Sequence, residues 1–349
     1  MQRIAVLTSG GDSPGMNAAV MSVARAASLM HMQLLGVRRG FNGLIGKSAN
    51  REEDITVLSL DTVLDIADLP GTYLRTARCP EFVELAVQKK AVDFLRSLNI
   101  SGLIIIGGDG SFRGAQDLSR LGFPCIGIPG TIDNDLGFTD TSLGFDTAVN
   151  VCVEAVRAIR ATSRSHDRPA VIEVMGRNCG DIALMTALST GSEMVIVPEV
   201  DQWSAEDAAT RLSFLLRQGN TRASVIVAEG AWKTMAPFDV YGYLKDHTEK
   251  VYPGQPMDIW HFARVLRYKT QSEVRGNVIG YTQRGHQPSA RDAAFAFEAG
   301  VMAVQLLRHG ESNRVVGTRN GRVFHMDIEA ALTIKPDFNR HMYNMVNAM

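Results

Sequence analysis

One pattern occurs four times in this sequence and limits its fold more than any other feature. A short apolar run ends directly in a loop that combines glycines with Asp or Arg, and in three of the four cases a helical stretch follows. The apolar runs are Ile4–Thr8, Leu103–Ile106, Cys125–Ile128 and Val171–Met175. Because they are continuously apolar rather than alternating, they predict strands that are buried on both faces, as in a parallel sheet.

Strands that alternate with helices are typical of a doubly wound α/β architecture. In such sheets ligands bind at the carboxyl ends of the strands, so we expect the four glycine-rich loops to lie along one binding edge. The chain has 349 residues, which is enough for two α/β domains that share a cleft. The second half is expected to begin near residue 144, with strands at Met194–Val197, Ser224–Ala228 and Val278–Tyr281.

Charge and cysteine content narrow the classes of partner. Lys and Arg number 36 and Asp and Glu 37, which leaves a net charge of −1 and no indication of nucleic acid or a membrane surface as partner. The four cysteines are far apart, which argues against a zinc site or a disulfide framework and favours a reducing compartment. No apolar run approaches the roughly 18 residues of a membrane helix, and the first residues lack the pattern of a signal peptide. We therefore expect a soluble, cytoplasmic protein.

The first loop, Gly10–Gly15, is suited to binding an anion. Glycine lets the backbone approach an anion closely, and the N–H groups at the start of a helix are free to donate to it. The loop has neither the G-K-[ST] ending of a Walker A motif nor the G-x-G-x-x-G spacing of a dinucleotide site. By itself it is equally consistent with a structural turn.

Two further loops carry acidic residues. Asp109 lies between glycines, where one carboxylate together with nucleotide phosphates would suit Mg²⁺, and a helix N-cap is the alternative. Asp133 and Asp135 follow Thr131, and an Asp at such a place can accept the proton of a hydroxyl group in phosphoryl transfer, with an Asx-rich turn as the alternative. Each loop alone leaves both interpretations open. Three loops with complementary roles favour a nucleotide-dependent kinase.

Together these motifs resemble those of the bacterial ATP-dependent 6-phosphofructokinase family. They are Thr8–Asn17, Gly107–Ser111, Pro129–Asp135 and Met175–Arg177, and the similarity extends to about residue 310. The resemblance implies an α/β, phosphofructokinase-like fold of two doubly wound αβα (Rossmann-like) domains, with the active site in the cleft between them. The implied domains are a large ATP-binding domain at 1–143, joined by part of 282–335, and a sugar-phosphate-binding domain at 144–281. Segment 336–349 is assigned to neither.

The resemblance also implies a reaction, the ATP-dependent phosphorylation of the 1-hydroxyl of fructose 6-phosphate in glycolysis, which gives fructose 1,6-bisphosphate and ADP with Mg²⁺ as cofactor. The residues that match ATP contacts are Gly10, Arg78, Cys79, Gly108, Asp109, Gly110 and Ser111, with Asp109 as the Mg²⁺ ligand. The implied catalytic residues are Asp133 as proton acceptor, Thr131 at the transferred phosphate, and Arg177. The residues that match sugar-phosphate contacts are Thr131, Ile132, Asp133, Arg168, Met175, Gly176, Arg177, Glu229, Arg275, Tyr281 and Arg284.

Two further properties follow from the resemblance. In the family, the counterparts of Arg168 and Arg275 reach the active site of a neighbouring subunit, so a homo-oligomer is implied, either a tetramer or a dimer. Pyrophosphate-dependent relatives typically carry Asp at the position of Gly110 and Lys at that of Gly130. A side chain at position 110 would crowd the α-phosphate of a nucleotide, so the two glycines favour ATP as the phosphoryl donor.

The chain departs from the family pattern at the sugar's 6-phosphate. Tyr281 stands where family members usually have a His, and a phenol donates a hydrogen bond but does not become cationic. Two alternatives to the fructose 6-phosphate kinase therefore stay open. One is a kinase for a related anionic ketose, such as tagatose 6-phosphate or 6-sulfofructose; the other, of a different class, is a non-catalytic regulatory paralogue.

The regulatory site departs further. In allosteric members of the family, basic residues bind ADP or phosphoenolpyruvate. Four of those basic positions here carry Met21, Leu60, Gln218 and Asn220, while Arg25, Arg160, Asp65 and Glu193 are kept. Because the loss of several cations weakens the attraction for a phosphate ligand, we expect weak or absent control by these effectors.

Overall fold

The structure is a computed structural model that describes residues 2–47, 53–200, 203–247 and 250–348. Its strands are β1 (Gln2–Thr8), β2 (Met32–Val37), β3 (Ile55–Val57), β4 (Ile100–Gly107), β5 (Cys125–Pro129), β6 (Ala170–Val174), β7 (Met194–Ile196), β8 (Ser224–Ala228), β9 (Arg275–Val278), β10 (Arg314–Arg319) and β11 (Arg322–Asp327). Its α-helices are α1 (Met16–Leu29), α2 (Phe41–Leu44), α3 (Leu60–Leu64), α4 (Leu85–Ser97), α5 (Asp109–Arg120), α6 (Phe145–His166), α7 (Asp181–Thr190), α8 (Ala205–Arg217), α9 (Val240–Leu244), α10 (Ile259–Thr270), α11 (Ala290–Arg308), α12 (Ile328–Thr333) and α13 (Arg340–Ala348).

The chain divides into two compact units. The first consists of Met1–Ala148 with Arg284–Asp337, and the second of Val149–Gln283 with Phe338–Met349. The expected divisions lay after residues 143 and 281, a few residues earlier in each case. The C-terminal segment, which the sequence left unassigned, lies in the second unit from Phe338 onward.

The first unit contains a seven-stranded sheet in the order β11-β10-β5-β4-β1-β2-β3. The five inner strands run parallel, and only the edge strands β3 and β11 pair antiparallel with their neighbours. Successive residues of β1 enter different cores, since Ile4 packs with α1 and α11 while Ala5 packs with α4 and α5. This burial on both faces is the physical reason for the continuously apolar runs, and the predicted α/β class is confirmed.

The second unit contains a four-stranded parallel sheet in the order β7-β8-β6-β9. Helices α8 and α10 pack on it through Leu212 and Phe262, both fully buried. The predicted strands at Met194–Val197 and Ser224–Ala228 are confirmed as β7 and β8. The prediction of a strand at Val278–Tyr281 is wrong, because β9 ends at Val278 and a 3₁₀ turn begins at Gly280.

The C-terminal helix α13 covers the edge strand β7. The side-chain amide of Asn347 accepts a hydrogen bond from the N–H of Val195 (3.1 Å) and donates one to its carbonyl oxygen (3.0 Å). The ring of Tyr343 is buried, and its hydroxyl accepts from the indole N–H of Trp203. Helix α13 therefore provides hydrogen-bond partners for backbone groups that an edge strand would otherwise leave unpaired.

None of the described helices has the length and hydropathy of a membrane span.

A buried carboxylate fixes the start of α6 in the first unit. Asp292 is 3% exposed and accepts hydrogen bonds from the N–H groups of Gly144 (3.0 Å) and Thr147 (2.8 Å) and from the Thr147 hydroxyl (2.5 Å). Burial raises the pKa of this carboxyl group, and the three hydrogen bonds oppose the effect. Asp292, although distant in sequence, thus accepts the hydrogen bonds that an N-cap residue would accept at the start of α6.

Replacing Asp292 with Ala is expected to lower the free energy of unfolding by about 2–3 kcal/mol, because it leaves buried donors without an acceptor. Urea unfolding followed by circular dichroism measures this. Glu298→Ala, an exposed change on the same helix α11, is the matched control and should stay within about 0.5 kcal/mol of the unmodified protein. Equal stability of the two variants would contradict the capping role of Asp292.

Candidate active site

Three of the glycine-rich loops lie side by side in the first unit. Strands β1, β4 and β5 are parallel neighbours, so the loops that follow them emerge at the same edge of the sheet. Backbone hydrogen bonds continue the sheet into these loops, from the N–H of Ser9 to the carbonyl of Ile106 (2.9 Å) and from the N–H of Gly130 to that of Gly107 (2.9 Å). The expectation of one shared edge is confirmed for these three loops. It is wrong for the fourth loop, because β6 belongs to the separate four-stranded sheet of the second unit.

The glycines of this edge allow the close approach. A Cβ atom at Gly107 would lie 2.7 Å from the carbonyl oxygen of Ser9, so no other residue fits there without a shift of the loop. Gly10 has a left-handed φ of 88°, and its Cβ position lies 3.7 Å from the Ser111 hydroxyl. The Cβ position of Gly108 lies 3.7 Å from Thr131. Residues predicted from three separate loops are therefore neighbours.

Asp109 is not the N-cap of α5. The N-cap is Gly108, which has no side chain, and Asp109 is the first residue of the helix itself. Both oxygens of its carboxylate accept from the guanidinium of Arg113, Oδ2 from Nε at 2.9 Å and Oδ1 from Nη2 at 3.2 Å. This hydrogen bonding raises the pKa of Arg113. The side chain of Asp109 is 38% exposed, so it is accessible at the end of β4.

The residues at Asp109 fit Mg²⁺ only when the ion arrives with other ligands. Among the described residues, no group of three or more His, Cys, Asp or Glu side chains is arranged to hold a metal. Asp109 offers one hard carboxylate flanked by glycines, and Mg²⁺ is commonly held by one or two carboxylates together with nucleotide phosphates and water. The donor set therefore fits a metal bound to a nucleotide.

The loop that carries Asp133 is tied to the segment before α6. The N–H of Thr131 donates to the carbonyl of Leu143 (3.1 Å), and the hydroxyl of Ser142 donates to the carbonyl of Thr131 (2.6 Å). Asn134 has a left-handed φ of 55°, and its side-chain oxygen accepts from the N–H of Ser142 (3.1 Å). Asn134 thus takes the turn-forming role that the sequence left open for this loop, and Asp133 stands partly buried beside it.

Thr131 also shapes the backbone at Asp133. Its hydroxyl accepts from the N–H of Asp133 at 3.2 Å. The side chain of Ile132, between the two, is fully buried, so a ligand at this loop meets the backbone of Ile132 rather than its side chain.

The segment that carries Arg78 and Cys79 lies beside the first loop. The hydroxyl of Thr76 donates to the carbonyl of Gly10 (2.8 Å), and the side-chain amide of Asn42 donates to the carbonyl of Arg78 (3.2 Å). The Arg78 side chain is exposed, whereas Cys79 is half-buried. Burial raises the pKa of the Cys79 thiol, so this residue packs as a neutral group and is not an activated nucleophile.

Arg284 lies against the first glycine loop. Its Nη1 donates to the carbonyl of Asp12 at 2.6 Å, and a Cβ atom at Gly11 would lie only 3.1 Å from the same nitrogen. Arg284 belongs to the first unit, whereas the other arginines predicted to contact the sugar phosphate, Arg168, Arg177 and Arg275, belong to the second.

In the second unit, the loop after β6 is held by side chains from two other elements. The N–H of Arg177 donates to the carboxylate of Glu229 (2.7 Å), which follows the neighbouring strand β8. The N–H of Met175 donates to the side-chain oxygen of Gln283 (2.8 Å), and Gln283 is fully buried. Gly176 has a φ of 139°, in the region that favours glycine. The structure therefore brings Met175, Gly176, Arg177 and Glu229 together.

Two more predicted residues share one acid. The carboxylate of Glu273 pairs with the guanidinium of Arg168 (Nε to Oε2, 2.7 Å) and with that of Arg275. Both arginines line a cavity of about 460 Å³, together with Ala158, Ile159, Thr162, Ser163, His166, Ala170 and Asn277. Tyr281 is 83% exposed and lies outside this lining.

Sequence reasoning missed Arg113, Glu273, Gln283 and Glu173. Glu173 lies on β6, and its carboxylate accepts from the indole N–H of Trp232 at 2.5 Å. Burial is the main cause that raises the pKa of Glu173; Glu229 and Asp258 raise it further, and the Trp232 hydrogen bond lowers it. The sequence contained a partial indication of Glu273, because it lies two residues before Arg275, a predicted ligand-binding residue, and an acid at that spacing can pair with the Arg. Arg113 also had a signal, since it lies four residues after Asp109 on a predicted helix, the spacing of an i,i+4 ion pair. Gln283 and Glu173 have no distinguishing pattern.

Two of the residues at the predicted regulatory positions, Arg160 and Asn220, bond to a third, Glu193, in the second unit. Glu193 accepts from the side-chain amide of Asn220 (2.8 Å), from the guanidinium of Arg160 (3.4 Å) and from the N–H of Ser224 (2.8 Å). Glu193 and Arg160 are both largely buried, with side chains 16% and 14% exposed. Asn220, at a position that is basic in allosteric relatives, therefore serves as an internal partner of Glu193.

Comparison with known proteins identifies the class to which this fold and these loops belong. The family model described as "Phosphofructokinase" matches residues 3–307. The chain also resembles the structure of phosphofructokinase from Saccharomyces cerevisiae, with a TM-score of 0.82 and 25% identity, over 99% of this chain and 50% of that one. It spans about half the length of that yeast chain. A pyrophosphate-dependent phosphofructokinase from Marinobacter aquaeolei, with a TM-score of 0.79 and 21% identity over 98% of this chain and 86% of its own, shares the fold.

The chain belongs to the phosphofructokinase family. A curated ATP-dependent 6-phosphofructokinase from Clostridium botulinum is 40% identical over 349 residues, which is 100% of this chain and 99% of that protein. One from Clostridium tetani is 43% identical over the same shares. The resemblance inferred from the four motifs is confirmed.

Replacing Gln283 with Ala is expected to cost about 1–3 kcal/mol of unfolding free energy, because the N–H of Met175 loses its acceptor in a partly buried environment. The same variant should raise the KM for the sugar substrate, since Met175 and Arg177 belong to one loop. Urea unfolding and steady-state kinetics measure the two effects. Gln218→Ala, an exposed change in the same unit, is the control. An unaltered stability of the Gln283 variant would contradict the role given to this hydrogen bond.

Proposed function

We propose that this protein is an ATP-dependent 6-phosphofructokinase, which phosphorylates the 1-hydroxyl of fructose 6-phosphate in glycolysis. The observation that carries the proposal is the position of Asp109 and Asp133 on the loops of two paired strands, β4 and β5, beside the glycines of the β1 loop. Full-length similarity to ATP-dependent 6-phosphofructokinases supports the same reaction. Two carboxylates on adjacent loops can divide the work between metal binding and proton transfer.

The proposed mechanism uses the residues of this chain as follows. The 1-hydroxyl oxygen of the sugar attacks the γ-phosphorus of ATP, a new O–P bond forms, and the bond to the bridging oxygen of ADP breaks. Asp133 accepts the proton of the hydroxyl, and Arg177 faces the charge that develops on the transferred phosphoryl group. Thr131 orients the loop through its hydrogen bond with the N–H of Asp133. Mg²⁺, held by Asp109, would neutralise phosphate charge when bound.

The two glycines used to assign the phosphoryl donor do not carry equal weight. A Cβ atom at Gly130 would lie 2.8 Å from the Ile106 side chain, so packing alone explains the absence of a side chain there. A Cβ atom at Gly110 would meet no atom within 4 Å. Since packing does not require glycine at position 110, its open space is available to a nucleotide phosphate. Gly110 therefore supports ATP, and Gly130 adds little.

The sugar end of the site supports an anionic substrate. Arg168 and Arg275 share Glu273, so the three residues carry one net positive charge for a phosphate group. We propose that these two arginines serve the active site of a neighbouring subunit in a homo-oligomer, a tetramer or a dimer, in the cytoplasm. Because Tyr281 stands where family members usually have a His, a kinase for tagatose 6-phosphate or 6-sulfofructose is a second candidate. The regulatory paralogue is not favoured, since Asp109, Asp133 and Arg177 would have no use in it.

Control by effectors is proposed to be weak or absent. Glu193 and Arg160 are engaged with each other and with Asn220 and Ser224, so their charges are already neutralised within the second unit. A phosphate ligand would have to displace these hydrogen bonds without the cations found in allosteric relatives.

A substrate screen tests the proposed function. With ATP and Mg²⁺, we expect kcat/KM for fructose 6-phosphate to exceed the values for tagatose 6-phosphate and 6-sulfofructose at least tenfold, and pyrophosphate to be a poor donor. A preference for either of the other two ketoses would show that the proposed substrate is wrong. Activity with pyrophosphate but not with ATP would show that the proposed donor is wrong. ATP binding without phosphorylation of any of the three sugars would favour the regulatory paralogue. ADP and phosphoenolpyruvate, added in the same assay at saturating ATP so that ADP does not compete at the nucleotide site, should change the rate less than twofold at subsaturating sugar.

A further inference from the structure

Arg113 pairs with Asp109, the predicted metal ligand. No role was predicted for Arg113 itself from the sequence. It lies one helical turn beyond Asp109 on α5, and its Nε and Nη2 donate to both carboxylate oxygens, at 2.9 and 3.2 Å. Such fork-to-fork pairing fixes the plane and the rotamer of a carboxylate more strictly than a single contact does. The neighbouring loop positions 107, 108 and 110 are glycines and bring no charge.

The guanidinium occupies the edge of the carboxylate that a divalent cation would use. Mg²⁺ and a guanidinium repel each other, so the two cations compete for Asp109. The pair is accessible, with side chains 61% exposed for Arg113 and 38% for Asp109. Exposed i,i+4 pairs contribute little to stability, so the arrival of a metal–nucleotide complex can displace Arg113 readily.

The pair also matters when no metal is present. Asp109 stands where the proposed function places the polyphosphate of ATP, and a bare carboxylate there would repel those phosphates. Arg113 neutralises that charge. In the metal-free enzyme, Arg113 would thus supply the positive charge that Mg²⁺ supplies when it is bound.

We propose that Arg113 is a positioning residue of the nucleotide site, which acts as the counter-ion of Asp109 until Mg²⁺ takes its place. This inference rests on the proposed function, in particular on Asp109 as the metal ligand. Its consequence is that Arg113 makes nucleotide binding less dependent on Mg²⁺. A merely structural role for Arg113 would leave that dependence unchanged.

The test is the Kd of ADP, measured by isothermal titration calorimetry with Mg²⁺ and again with EDTA. In Arg113→Met, which keeps side-chain length and helix propensity, we expect the ratio of the metal-free Kd to the Mg²⁺ Kd to rise about tenfold, as for one uncompensated charge near the phosphates. Arg113→Lys, which cannot pair with both oxygens at once, should give an intermediate ratio. Arg120→Met, at the other end of α5, is the matched control and should leave the ratio unchanged.

The outcomes separate the proposal from its competitors. An unchanged or lower ratio in Arg113→Met overturns it, and so does an equal loss of affinity with and without Mg²⁺, which would make Arg113 a plain nucleotide contact. Asp109→Asn should abolish the effect of Arg113→Met; retention of full Mg²⁺ dependence in Asp109→Asn would overturn the proposal. A protein that shows the predicted ratios but phosphorylates no sugar would contradict the proposed function and leave this inference standing.

Discussion

The parallel pairing of β1, β4 and β5 is the constraint on which the rest of the site depends. It brings three loops to one edge, and the bonds of Ser9 to Ile106 and of Gly130 to Gly107 carry the pairing into the loops themselves. A side chain at Gly107 would force that edge apart. The positions of Asp109 and Asp133, the residues proposed for metal binding and proton transfer, therefore depend on the core, because the strands that precede them are buried on both faces of the sheet.

A second theme is the control of charge by local partners. Several groups at the proposed anion sites are already paired with an acid, as in Arg113 with Asp109, Arg168 with Glu273, and the backbone N–H of Arg177 with Glu229. These partners orient flexible side chains before a ligand arrives, which reduces the entropy that binding must overcome. Because the ion pairs are partly exposed, they are weak enough to be exchanged for a phosphate or a metal ion.

The sequence could predict the fold and the loops because both depend on local pattern. Continuously apolar runs identified β1, β4 and β5 in the first unit and β6 in the second, and a glycine-rich loop follows each of these strands. The inner strands β2 and β10 were not predicted. The antiparallel edge strands β3 and β11 and the limits of β9 were not predicted, since short edge strands have little periodicity. Gln283 and Arg113 escaped notice because a single polar residue reveals its partner only when tertiary structure, or the exact start of a helix, is known. The position of Arg284 against the Gly11 loop likewise depends on contacts between residues far apart in sequence.

In the proposed mechanism Asp133 accepts the proton of the sugar hydroxyl, and the nucleotide binds independently of Asp133. The most direct measurement is kcat for fructose 6-phosphate in Asp133→Asn, together with the Kd of ADP in the presence of Mg²⁺. We expect kcat to fall about 10²–10⁴-fold, with the Kd unchanged within about twofold. A kcat within tenfold of the unmodified enzyme would contradict it.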